Sequence, residues 1–150
     1  VGSEMCIRDR TKAPLRWLEP PWKAILSNKG LLPLLWRYFE GHPNLLPAYF
    51  EGDPRAAGLH GGFVRKPLFS REGANVEWHG ADGSTFQVDG PYGQEGAIIQ
   101  ALHPLPRIGG NFTVVGTWVI GGVAAGLGIR EDTTPITRDT SRFLPHAIIG

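Results

Sequence analysis

The sequence predicts an α+β fold, in which a helical segment is followed by an antiparallel meander of strands. Two patterns carry this prediction. Apolar residues recur at three- and four-residue spacing between residues 22 and 39, whereas short strand-like runs bounded by turn residues follow from residue 63 onward. The 21 glycines and 13 prolines are interspersed with these runs, which indicates many turns rather than a disordered chain.

The helical segment covers residues 14–51, as pieces separated by prolines. Its helical spacing is carried by the apolar residues Trp22, Ile25, Leu26, Leu31, Leu32, Leu35, Trp36 and Phe39. Residues 27–30, with the sequence SNKG, interrupt the pattern, and we expect Ser27 or Asn28 to cap the second helix. Residues 42–44 end that helix, and residues 45–50 are a short apolar continuation.

The strands are expected after a loop at residues 52–62 that is rich in glycine, aspartate and proline. The strand-like runs are residues 62–66, 75–79, 84–88, 97–102, 112–120 and 124–130. Turn residues at 80–83 connect the two strands of one hairpin, and turn residues at 121–122 connect those of a second. Residues 90–96 form a further loop. The chain therefore alternates short strands with tight turns over its second half.

Composition excludes several classes of protein. A net charge of +1 argues against a nucleic-acid-binding surface, and no apolar run is long enough to span a membrane. The single cysteine, Cys6, excludes a disulfide scaffold, and the start of the chain lacks the pattern of a secretory signal. We therefore expect a cytoplasmic protein that binds neither nucleic acid nor a membrane, whereas its oligomeric state cannot be read from the sequence.

The first ten residues, VGSEMCIRDR, differ from the rest because they hold the only methionine and the only cysteine of the chain. They resemble the translated adapter sequence that contaminates the ends of assembled metagenomic reads. We expect residues 1–10 to be a non-native tail, residues 11–150 to be the native part, and the chain to be cut at both ends.

The segment VRKPLFSREGANV, residues 64–76, is a candidate phosphate site. Lys66 stands at the end of a predicted strand, and the small residues of the following loop allow backbone N–H groups to approach an anion. A lysine ammonium supplies the positive charge that phosphate requires. Composition alone favours a solvated hairpin turn, because the segment lacks the pattern of a nucleotide-binding P-loop.

Other candidate residues are weaker on their own. Arg130 at a strand end has the charge to neutralise a transferring phosphoryl group, but taken alone an ordinary surface strand terminus is the favoured explanation. Lys29 after a helix break is typical of a solvated lysine. Glu95, Glu131 and Asp132 lack the spacing of a cation-binding loop, and the five histidines are scattered, so no metal site is expected in this chain.

Four segments taken together resemble the synthetase domain of glutathionylspermidine synthase and its relatives, an ATP-grasp family. They are residues 22–51, 64–76, 90–106 and 114–148, which occur in the family's order. The resemblance implies that residues 11–150 are the C-terminal portion of an ATP-grasp-like domain, which is therefore incomplete. It also turns the phosphate site at Lys66 into the favoured interpretation.

The resemblance implies an ATP-dependent ligase that forms a carbon–nitrogen bond. Such enzymes transfer the ATP γ-phosphoryl group to a carboxylate, and an amine then attacks the acyl phosphate to give an amide. In glutathionylspermidine synthase the carboxylate belongs to glutathione and the amine to spermidine. The expected partners are therefore small molecules, a peptide-like carboxylate and an amine.

The resemblance also assigns roles to individual residues. Lys29 and Lys66 match lysines that hold ATP phosphates, Glu72 and Gly73 match a loop that closes over them, and Arg130 matches an arginine near the phosphoryl-transfer centre. Further nucleotide contacts are implied for Gln100, Ala101, Leu102, His103, Pro135, Ile136 and Thr137. Magnesium is implied as well, with its ligands upstream of the matching segments.

Because those upstream ligands are missing, we do not expect the chain alone to catalyse ligation. Three alternatives remain open at this point. These alternatives are a related acid–amine ligase with different substrates, a nucleotide-binding module without catalysis, and a structural domain that binds no nucleotide.

Overall fold

A computed structural model describes residues 21–147, in which two short helices precede two antiparallel sheets. The predicted α+β class is confirmed for this part of the chain. The expected tail at residues 1–10 and the start of the helical segment at residues 14–20 lie outside the described residues.

The helices are shorter than the sequence pattern suggested. A 3₁₀ turn at Pro21–Lys23 leads into α1 at Ala24–Ser27, and α2 covers Leu31–Tyr38. The predicted side-chain cap at Ser27 or Asn28 is wrong, because Ser27 ends α1 and Gly30 occupies the cap position of α2. Asn28 instead accepts a hydrogen bond from the backbone N–H of Gly30 at 2.8 Å, which forms a local turn before the helix.

The first sheet has five strands and contains most of the buried apolar residues. Its strands are β1 at Ala48–Phe50, β2 at Gly62–Pro67, β3 at Glu77–Gly80, β4 at Thr85–Gln87 and β5 at Ala97–Ala101. Their order across the sheet is β1-β5-β2-β3-β4, so β5 lies between β1 and β2. Ile98 of β5 is completely buried, and Ala48 and Ala97 are buried beside it.

This sheet is not a simple meander, because β5 is inserted between two strands that precede it in the sequence. Strand β1 was missed by the sequence pattern, which continued the helical segment through residues 45–50. Only three residues, Ala48–Phe50, pair with β5, and a run that short carries no readable alternation.

The second sheet has four strands built around one long hairpin. Its strands are β6 at Arg107–Ile108, β7 at Asn111–Ile120, β8 at Val123–Asp132 and β9 at Arg142–Leu144, paired in that order. The register shifts between Trp118 and Val119, and the distal part of the hairpin is exposed. The long hairpin was predicted from the sequence, whereas the short edge strands β6 and β9 were not.

Among the described residues, none of the helices has the length and apolar character required to cross a membrane.

Candidate functional site

Lys29 is fixed to the loop at residues 68–76 by its main chain and its side chain. Its backbone N–H donates to the carbonyl of Leu68 at 2.9 Å. Its ammonium donates to the carbonyl and to the hydroxyl of Ser70, both at 3.0 Å. The break between α1 and α2, which the sequence showed as SNKG, therefore places a cation directly against the candidate phosphate loop.

Lys66 lies on β2, on the same face of the sheet as Gln100 of β5. Lys66 is opposite Ile98 and Gln100 is opposite Val64 in the antiparallel register, so the two side chains are diagonal neighbours. The Lys66 ammonium donates to Oε1 of Gln100 at 2.7 Å. The strand pairing thus brings together two residues that are 34 positions apart in the sequence.

The two lysines form a cationic pair, named here the lysine pair. Burial lowers the pKa of Lys66 below its ordinary value, and the positive charge of Lys29 lowers that pKa further. Burial also lowers the pKa of Lys29. Neither lysine forms an ion pair with a carboxylate within residues 21–147. Two partly desolvated ammonium groups with only neutral acceptors fit a polyanion, because an anion would relieve their mutual repulsion.

The loop that follows Ser70 has an unusual backbone. Glu72, Gly73 and Asn75 all have positive φ angles, of 52°, 74° and 55°. Asn75 accepts a hydrogen bond from the N–H of Tyr92 through its side chain at 2.8 Å, which ties the loop to residues 90–96. A Cβ atom at Gly73 would lie 2.6 Å from the carbonyl oxygen of Thr137, so glycine is required for packing as well as for conformation.

Arg130 of β8 reaches the same loop from the second sheet. Its guanidinium Nη2 donates to Oε2 of Glu72 at 3.2 Å and to the carbonyl of Arg138. The guanidinium carbon lies 5.1 Å from the ring centroid of Phe143, the residue directly opposite Arg130 on β9. The loop therefore connects the lysine pair, through Ser70, to Arg130, through Glu72.

Five of the predicted residues lie together where Arg130 contacts the loop, and this group is named here the arginine cluster. They are Glu72, Gly73, Arg130, Ile136 and Thr137. Ile136 is buried, and its Cγ2 would lie 2.7 Å from a Cβ atom added at Gly73. The neighbouring Pro135 is half-buried.

The other predicted nucleotide contacts are distributed around the end of β5. Gln100 joins the lysine pair, whereas Ala101 pairs with Phe63 and alternates to the opposite face of the sheet. Leu102 donates a backbone hydrogen bond to Gly62 at 3.0 Å, and His103 is exposed. The side chains of Ala101 and Gln100 therefore face different surroundings, and the roles of Ala101, Leu102 and His103 stay predictions.

Sequence reasoning missed the polar network behind Arg130. Asp132 was weighed only as a metal ligand, and no role was assigned to Ser141. Burial alone would raise the pKa of Asp132, but hydrogen bonds from Ser141, Thr134 and Arg138 together hold that pKa well below its ordinary range. An aspartate followed two residues later by a threonine is typical of a side-chain-closed turn, and this signal was present in the sequence.

The described part of the chain contains no group of three histidine, cysteine, aspartate or glutamate residues arranged to hold a metal ion. Glu131 and Asp132 are instead engaged by Arg142 and by the network around Ser141.

Comparisons with known proteins converge on one family. The profile described as glutathionylspermidine synthase preATP-grasp matches residues 3–149. A provisionally named acid–amine ligase of Haemophilus influenzae is 41% identical over 153 residues, covering 95% of this chain and 37% of that protein. A trypanothione synthetase of Crithidia fasciculata is 34% identical, covering 85% of this chain and 19% of its own length.

A bifunctional glutathionylspermidine synthetase/amidase of Escherichia coli is 28% identical, covering 87% of this chain and 21% of the relative. The chain thus spans between 19% and 37% of the length of these relatives.

Proposed function

The chain belongs to the glutathionylspermidine synthase preATP-grasp family, and from that premise we propose that it supplies ATP-phosphate contacts to a longer ligase that joins a carboxylate to an amine. The resemblance noted from four sequence segments is confirmed by this membership. The observation that carries the proposal is the lysine pair, in which two half-buried ammonium groups repel each other and no carboxylate of residues 21–147 offsets them.

ATP, when bound, supplies the γ-phosphoryl group that converts the carboxylate into an acyl phosphate, from which the amine displaces phosphate to give the amide. Lys29 and Lys66 bind phosphate oxygens. Ser70 and Gln100 hold the two ammonium groups in place through neutral acceptors, so neither lysine must break an ion pair to meet an anion. Burial strengthens the attraction because less water screens the charges.

Arg130 neutralises the negative charge that develops on the transferring phosphoryl group. Phosphoryl transfer depends mainly on positioning and charge neutralisation, which a fixed guanidinium provides. The loop with Glu72 and Gly73 covers the phosphates, and Gln100, Ala101, Leu102, His103, Pro135, Ile136 and Thr137 provide further nucleotide contacts. We also propose that the magnesium ligands lie outside residues 21–147 and that the enzyme acts in the cytoplasm.

Two substrate assignments follow from the relatives. The first is a glutathione-like carboxylate joined to a polyamine such as spermidine, as the names of the synthetases suggest. The second is a different acid and amine, which is favoured by the higher identity, 41% against 34% and 28%, to the acid–amine ligase of Haemophilus influenzae. Measuring ADP release by the full-length enzyme with a panel of acids and amines separates the two.

The lysine pair is tested by removing each charge while keeping the length of the side chain. Lys66→Met and Lys29→Met in the full-length enzyme are each expected to weaken ATP binding about 10-fold or more, because a hydrogen bond to a charged group is lost. Isothermal titration calorimetry measures the dissociation constant.

Arg37→Met is the matched control, because it removes an exposed positive charge from the last turn of α2. Unchanged ATP affinity in both lysine variants, with the control also unchanged, would contradict the proposed phosphate site.

A further inference from the structure

Asp132 ends β8 and is buried, and four donors surround its carboxylate. Oδ1 accepts from the backbone N–H of Thr134 at 2.9 Å, from the Thr134 hydroxyl at 2.8 Å and from Nη2 of Arg138 at 3.2 Å. Oδ2 accepts from the hydroxyl of Ser141 at 2.6 Å. Both oxygens are therefore engaged, as a buried carboxylate requires.

All of these donors belong to the connection between β8 and β9, residues 133–141. Within that connection, the Ser141 hydroxyl accepts from the N–H of Arg138 at 2.8 Å, and the Ser141 N–H donates to the Arg138 carbonyl at 3.1 Å. The Thr134 hydroxyl is also 3.0 Å from the carbonyl of Ile136. The connection is thus folded around one buried carboxylate, and Ile136 is its buried apolar residue.

The same connection carries two parts of the arginine cluster. The carbonyl of Arg138 accepts from the guanidinium of Arg130, and Thr137 provides the carbonyl against which Gly73 packs. The other contacts of Arg130 restrain it less. Its ion pair is with Glu72, whose side chain is 54% exposed, and the ring of Phe143 is mostly exposed. Of these three contacts of Arg130, the Arg138 carbonyl is therefore the one that a buried hydrogen-bond network holds in place.

We propose that Asp132 is a positioning residue for Arg130: it fixes the Arg138 carbonyl and thereby the direction of the guanidinium, without touching the substrate itself. The inference rests on the proposed role of Arg130 in phosphoryl transfer. An error of about 1 Å in the position of such a group lowers the rate about 100-fold. Asp132→Asn is expected to have an effect of this size, because its amide places N–H donors where donors already converge.

The test is a double-mutant cycle in the full-length enzyme, with kcat for ATP-dependent ADP release as the measurement. Asp132→Asn and Arg130→Ala each lower kcat by about 100-fold. The double variant falls no further than Arg130→Ala alone, within about 2-fold, because a positioning residue has nothing left to position. Asp139→Asn is the matched control, since Asp139 is an exposed acid of the same connection, and it leaves kcat unchanged.

The outcomes separate the inference from the proposed function. If Arg130→Ala retains full kcat, the proposed role of Arg130 is wrong and the inference falls with it. If Arg130→Ala is impaired but the double variant loses the product of both effects, Asp132 acts independently of Arg130 and only the inference is overturned. Full kcat in Asp132→Asn overturns it as well.

A second variant decides the question if Asp132→Asn does not fold. Ser141→Ala removes one of the donors to Asp132 and the acceptor for the Arg138 N–H. It is expected to lower kcat about 10-fold, with no further loss when it is combined with Arg130→Ala. A loss that persists in the Arg130→Ala background would contradict the positioning role.

Discussion

The two sheets hold their candidate functional residues in different ways. In the five-stranded sheet, Lys66 and Gln100 flank Ile98, which is completely buried, so their backbone positions are set by apolar packing. In the four-stranded sheet, Arg130 lies on a hairpin whose tip is exposed, with Trp118 at 66% and Ile120 at 67%. Packing fixes the first group of residues, whereas a buried polar network fixes the second.

This difference predicts different responses to substitution. Loss of a buried apolar side chain removes contacts and leaves a cavity, so its effect appears in global stability. If Asp132 positions Arg130 as proposed, loss of a polar contact around Asp132 changes the direction of one side chain, so its effect is expected first in catalysis. Comparing stability and activity at matched positions in the two sheets therefore tests the distinction.

The largest effect on stability is expected at the centre of the five-stranded sheet. Ile98→Ala should lower the free energy of unfolding by about 2–5 kcal/mol, because Ile98 is completely buried. Ile120→Ala at the hairpin tip is the matched substitution and should change it by less than about 0.5 kcal/mol. Denaturant unfolding of the full-length protein measures both.

An equal loss at the two positions would break the comparison. It would mean that residues outside 21–147 cover Ile120 in the full-length protein.

A smaller effect is expected where the loop joins the two sheets. Gly73→Ala should lower stability by about 1–3 kcal/mol and weaken ATP binding, because its φ is 74° and its Cβ would lie 2.6 Å from the Thr137 carbonyl. Gly83→Ala is the control, since Gly83 has a φ of 82° but nothing within 4 Å of an added Cβ. It should cost only about 1 kcal/mol, from conformation alone.

Thermal unfolding and nucleotide titration of the two glycine variants separate packing from conformation. If Gly83→Ala lowered stability as much as Gly73→Ala, the contact between the loop and Thr137 would contribute nothing to stability.

The smallest effects on stability are expected from changes in pH. One involves Lys66 at alkaline pH, and the other involves Asp132 at acidic pH. The pKa of Lys66 is lowered in the folded state, so wild type should gain stability relative to Lys66→Met as pH rises from that lowered pKa towards 10.5. The pKa of Asp132 is also lowered, so its stabilising contribution is present above pH 3.8 and is lost as pH falls below that value.

Unfolding free energies of wild type, Lys66→Met and Asp132→Asn across pH give both differences. A constant difference between wild type and Lys66→Met over the alkaline range would show that the Lys66 ammonium is not desolvated.

The sequence was sufficient for the parts of the fold that carry a long pattern. The hairpin of β7 and β8, with ten residues in each strand, was readable from its apolar runs and its glycine turn. Strands β1 and β9 were not, because three residues show no period and their strand state depends on a distant partner. The same reason explains the insertion of β5 between β1 and β2, which only long-range pairing determines.

The candidate site was predictable in its charges but not in its connections. Lys29, Lys66 and Arg130 were singled out from the sequence, and in the structure Lys29 and Arg130 contact the loop at residues 68–76, whereas Lys66 contacts Gln100. The contact between Lys66 and Gln100 follows from the register of two strands, which their sequences do not specify. The hydrogen bonds to Asp132 depend on how residues 133–141 fold back between β8 and β9, which the sequence pattern does not specify.

One feature of the hairpin governs how its exposed tip relates mechanically to Arg130. Gly116 of β7 lies directly opposite Gly128 of β8, two residues beyond the pair formed by Val114 and Arg130. At that rung neither strand has a side chain to pack across the ribbon, which weakens the hairpin locally. Bending of the exposed tip is therefore expected to concentrate at the glycine rung and to displace the Arg130 guanidinium little.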